Sequence, residues 1–132
     1  MSYSITFSMG QQFRWSRRLS KLLIKAASRG PDRGRISMNE LMTLFHHAMK
    51  DQIGLALPYF IEEITRHHFT TGKGMLSIVV TETEQDILPY RGFFHHARRL
   101  GLAGSEEDIW RDQCRLVYGV HARPRNRRQR AE

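Results

Sequence analysis

Histidine and arginine are the residues in this chain whose types could support catalysis. His46-His47, His67-His68 and His95-His96 form three adjacent pairs. Neighbours on a helix point about 100° apart, so one pair cannot readily chelate one ion; ligand pairs use helical spacings of three or four. No HExxH pattern is present, and no carboxylate sits at a diagnostic offset from any pair. The pairs read as structural or surface residues, and no metal or cofactor is expected. A second chemistry would arise if His67, His68, Arg91, His95, His96, Arg98 and Arg99 converged. In metal-free RNA cleavage one His abstracts the 2′-OH proton and an Arg stabilises the phosphorane. Cys114, the single cysteine, excludes an intramolecular disulfide and sits among core-type residues, where a packed small hydrophobe is expected. No P-loop, dinucleotide fingerprint or serine-nucleophile elbow occurs.

The strongest chemical signal is the placement of charge. Residues 1–35 carry Arg14, Arg17, Arg18, Lys21, Lys25, Arg29, Arg33 and Arg35 against Asp32 alone, a net +7. Residues 122–132 carry Arg123, Arg125, Arg127, Arg128 and Arg130 against Glu132, a net +4. The stretch between them is net −3, which closes on the total of +8. A near-neutral body flanked by cationic ends points to a polyanion, because clustered cations release the counterions condensed on phosphates.

Those cations must be carried by elements, and the periodicity indicates which. From about Gln11 to Arg29, Trp15, Leu19, Leu22, Leu23 and Ala26 recur at steps of three and four and predict an amphipathic helix with a basic outer face. Gly30 and Pro31 end it. Ser37 and Glu40 have capping-box spacing and open a second helix lined by Leu41, Leu44, Phe45 and Ala48. Lys50 and Asp51 read as a turn. Ile53, Leu57, Phe60, Ile61 and Ile64 then predict a third helix to about His68, with Pro58 in its early turns or at its start. Residues 3–8 and Met75–Thr81 read as strands, the latter returning through Thr83–Asp86 as a β-hairpin. Phe93–Leu100 and a segment capped by Ser105 complete the helices. Residues 122–132 have no apolar side chain larger than alanine and read as a disordered basic tail.

These elements predict an α+β, mostly helical fold of winged helix–turn–helix type: a basic helical region at 1–35, a winged core with a C-terminal helix at 36–121, and the tail at 122–132. From Arg35 to Gly92 the layout resembles the DNA-binding domain of alkylguanine-DNA alkyltransferases and alkyltransferase-like proteins. Ile36-Ser37-Met38-Asn39-Glu40-Leu41-Met42 stands where that family has a Ser-Tyr-Gly-Glu-Leu-Ala type motif. Asp51-Gln52-Ile53-Gly54 stands where it has Arg-Ala-Val-Gly. The resemblance implies a DNA-binding fold. It does not imply alkyl transfer, because Leu76-Ser77-Ile78-Val79-Val80 replaces the Pro-Cys-His-Arg active site and Asp51 replaces the arginine inserted into the base stack. The segment from Pro89 to Trp110 is also similar to small bacterial proteins, a likeness that carries no activity with it.

The expected function is non-enzymatic nucleic-acid binding, DNA before RNA, as a regulator or accessory factor of a bacterium or mobile element. Phosphate contacts would come from Arg14, Arg17, Arg18, Lys21, Lys25, Arg125, Arg127, Arg128 and Arg130. Two alternatives stay open: a small basic ribonuclease toxin using His and Arg, or an interaction or inhibitor module that binds an acidic protein surface. A homodimer is a further possible partner. No apolar run reaches the roughly 20 residues of a membrane span, no secretory signal is evident, and the lone cysteine suits the cytoplasm.

Overall fold

The computed structural model describes residues 8–123. All of the strand expected at residues 3–8 except Ser8, which caps the first helix, and nearly all of the basic tail lie outside that range. Helix α1 runs Met9–Ser28 and is opened by a reciprocal cap: Gln11 N donates to Ser8 Oγ at 3.1 Å, and Ser8 N donates to Gln11 Oε1 at 3.1 Å. Trp15, Leu19, Leu23, Ala26 and Ala27 are buried along its inner face. The chain then turns through Gly30, at φ 87°, into the short strand β1, Ile36–Ser37.

Helix α2, Met38–Met49, is capped by Ser37 Oγ, which accepts from Glu40 N at 3.0 Å. The Ser37 hydroxyl proton goes to Glu84 Oε1 at 2.8 Å, a bond across the fold. Leu41, Phe45 and Met49 form the buried stripe; Leu44, expected inside, is exposed. A 3-10 turn, Lys50–Gln52, leads into α3, Ile53–Thr70. Pro58 lies in the second turn of α3, where its missing N–H leaves the exposed carbonyl region near Gly54 to solvent. Helices α4, Gly92–Arg99, and α5, Glu106–His121, complete the chain, α5 being capped by Ser105 Oγ.

The expected hairpin is not formed. Met75–Thr81 divides into a 3-10 helix, Leu76–Val79, and the two-residue strand β2, Val80–Thr81. β2 pairs with β1 in parallel, Ile36 opposite Val80 and Ser37 opposite Thr81. A parallel pair needs a long crossover, which α2 and α3 supply. Beyond Thr81, the polar loop returns with one main-chain bond, Tyr90 N to Val80 O at 2.7 Å. The apolar β-branched run is therefore the centre of the core. Helices α1, α3 and α5 pack around Leu76–Val79, and Met75 through Val80 are essentially inaccessible.

Side chains supply the hydrogen bonds that neighbouring strands would otherwise give this segment. Gln113 Oε1 accepts from Met75 N at 2.8 Å, and Thr65 Oγ1 accepts from Ser77 N at 3.2 Å. A buried amide without a partner costs about 1–3 kcal/mol, so these two side chains hold the core backbone in place. A third long-range bond closes the N-terminal loop: Tyr118 Oη donates to Gly34 O at 2.6 Å. Gly34 is required there, since a Cβ would come within 2.7 Å of Ala26 O and of the Tyr118 ring. The described fold is mostly helical with a small parallel sheet, and none of its helices is long and apolar enough to cross a membrane.

Candidate nucleic-acid interface

Helix α1 positions its cations by the same periodicity that buries its core stripe. With Trp15, Leu19 and Leu23 turned inward, Arg14, Arg17, Arg18, Lys21 and Lys25 are all exposed. Arg14, Arg18, Lys21 and Lys25 follow i, i+4, i+7 and i+11, a ridge about 16 Å long. The helix contains no acidic residue, and among the described residues none of its cations is ion-paired. Three arginines on the other helices differ: Arg66 pairs with Glu63, Arg99 with Glu62, and Arg111 with Glu107 and Asp108. One α1 cation has a structural contact as well. The Arg18 guanidinium lies 4.9 Å above the Phe45 ring and ties α1 to α2.

The second cationic region starts beside the first. Arg123 N donates to Ser28 O at 3.0 Å, joining the chain after α5 to the C-terminal end of α1. Arg125, Arg127, Arg128 and Arg130 follow directly in sequence and lie outside the described residues.

The acids of the loop after β2, Glu82, Glu84 and Asp86, have internal partners. Glu82 Oε1 accepts from Arg91 N at 2.8 Å, Glu84 from Ser37, and Asp86 Oδ2 from Thr83 N at 2.9 Å. The Ser37 hydroxyl holds the Glu84 carboxyl below the usual carboxylate range. These carboxylates organise a loop that replaces the expected hairpin.

The histidine pairs are divided. His46 and His47 are exposed on α2, and so are His67 and His95, whereas His68 and His96 are buried. Helix α4 is tied to α3 by Arg99, which pairs with Glu62 at 2.6 Å, and packs against α5. The seven His and Arg side chains nevertheless do not gather in one site. His67 and His68 line a groove between α1 and α3, while Arg91, His95 and Arg98 line a separate cleft of about 620 Å³ with Glu82, Asp86 and Glu106. The ribonuclease constellation is thereby separated into parts.

A contact not foreseen from sequence joins His68 to His121 at the end of α5, with ring centroids 5.7 Å apart. Burial, aided by His121, Lys73 and His67, lowers His68 to about 4. Burial followed by Lys73 lowers His121 as well. Cys114 is half-buried against the core, and burial pushes its thiol up, away from nucleophilic character. Among the described residues no group of three or more His, Cys, Asp or Glu could hold a metal ion. Phe13 was also missed; it falls two residues before Trp15, off the buried stripe, and is 68% exposed. No family model, curated protein or solved structure matches this chain.

Proposed function

We propose that this protein binds nucleic acid without catalysing a reaction, DNA before RNA, through the outer face of α1 and the adjoining arginine run. The observation that carries this reading is the ridge of α1, which holds no acid and whose cations are not ion-paired among the described residues, whereas Arg66, Arg99 and Arg111 on the other helices are paired with carboxylates. Arginine suits the task because its planar fork can donate two hydrogen bonds to one phosphate. The helix α2, turn and helix α3 order supports a helix–turn–helix reading of the core, related to that of the alkyltransferase-like proteins. Helix α3 offers its outer face to a different role, since Leu55 and Tyr59 are exposed there and Glu62 and Glu63 are acidic. The core then acts as the scaffold that presents α1.

Fluorescence anisotropy against salt concentration tests this with labelled duplex DNA and single-stranded RNA. Neutralising six to eight phosphates predicts that log K falls with log salt at a slope of about −5 to −7. A flat response, or no binding at low ionic strength, overturns the reading.

A further inference from the structure

The groove between α1 and α3 combines features that a duplex does not require. Phe13 stands at its edge, 68% exposed, while the neighbouring aromatic Trp15 is buried edge-on against Phe60 at 6.3 Å. Arg17 lies one turn further along, on the same side of α1 as Phe13. Ser16 and Ser20 are too small to fill the space, which measures about 420 Å³. Across it, α3 contributes Arg66 and His67, both exposed. Glu63 also lines the groove, and its bond to Arg66 at 2.9 Å is a solvent-exposed pair that a phosphate can displace.

We infer that this groove holds an unpaired base of a single-stranded nucleic acid, with Phe13 stacking on the base and Arg17 contacting the adjacent phosphate. A π-face beside a cationic track is the arrangement that binds single strands, because every base has a face to stack while phosphates follow the charge. In duplex DNA those faces are already covered by neighbouring bases, so Phe13 has nothing to engage. The ridge from Arg14 to Lys25 runs alongside and supplies the track. The inference rests on the reading of α1 as a phosphate-binding surface and specifies the form of nucleic acid that it prefers.

The test uses the full chain with labelled oligothymidine and a duplex of equal length. Phe13→Ala weakens binding to the single strand roughly tenfold, the size expected for one stacking contact, and leaves duplex binding within about twofold. Phe13→Trp retains strand binding, and its added fluorescence is quenched on binding. Because Phe13 is exposed, thermal melting of both variants matches the parent. If Phe13→Ala leaves strand affinity unchanged while both nucleic acids still bind, this inference fails and the phosphate-binding reading stands. If neither nucleic acid binds the parent at low salt, the underlying reading fails instead. Displacement of the strand by micromolar AMP also overturns the inference, since the groove would then hold a free nucleotide.

Discussion

Arg123 and Ser28 are joined through their main chains, amide to carbonyl at 3.0 Å, although one follows the last helix and the other ends the first. The bond places Arg123, after which the arginine run follows in sequence, at the C-terminal end of the cationic helix. Each phosphate contact contributes about 0.9 to the salt slope on duplex DNA. Deleting 124–132 removes four arginines and is expected to flatten the slope by about 3–4. Replacing Arg14, Lys21 and Lys25 with Gln removes up to about 3 more. Slopes unchanged from the parent in both variants would refute a role for either region.

The five cations of α1 are not equivalent. Arg18 covers the Phe45 ring, so Arg18→Ala loses a contact between α1 and α2 as well as a charge. A urea melt of Arg18→Ala should show a loss of about 0.5–1 kcal/mol. Lys21→Ala removes an exposed charge with no described contact and should stay within about 0.5 kcal/mol of the parent. Equal midpoints for the two variants would show that the Phe45 contact does not contribute to stability.

Much of the helical framework was legible because its signals are local. The three-and-four spacing of Trp15, Leu19 and Leu23, and the caps at Ser37 and Ser105, depend only on residues within a turn or two. The exposure of the α1 cations followed from that stripe. Met75–Val80 misled for a physical reason: β-branched apolar residues mark complete burial as readily as pairing in a sheet. Only Val80 and Thr81 found a partner strand. The amides of Met75 and Ser77 were taken by Gln113 and Thr65, side chains distant in sequence with no local signature. The groove at Phe13 was illegible for the same reason, since it exists only where α1 passes α3.

Those two side chains give a direct test of the core backbone. Gln113→Leu keeps comparable bulk but leaves Met75 N without its acceptor, at a cost of about 1–3 kcal/mol. Thr65→Val is nearly isosteric and orphans Ser77 N at a similar cost. A fall in melting temperature of about 5 °C for either variant is expected from a chain of this size. If both substitutions leave the melting curve unmoved, the amides have other partners and the account of the 3-10 segment is wrong.

Acid should destabilise this protein through His68, His96 and His121, the first two buried and the third partly so. Burial lowers His68 from its ordinary 6.5 to about 4, with His121, Lys73 and His67 adding to the effect. His121 is lowered by burial and by Lys73. Burial also lowers His96, where Arg99 and Arg66 assist and Glu62 and Glu63 oppose. In each case the unfolded chain binds a proton more readily than the folded one, so falling pH favours unfolding. The stability that His68 contributes is complete above pH about 6.5 and drains away towards pH about 4, and that of His121 and His96 is lost in the same direction. Between pH 7.5 and 5, His68 alone is expected to cost about 1–2 kcal/mol, less than the full linkage value because solvent reaches part of the site. His68→Leu removes the titrating ring and an Nδ1 that has no described hydrogen-bond partner. Its melting temperature should therefore fall by several degrees less than the parent's over that interval. An equal fall in both would show that acid sensitivity arises elsewhere.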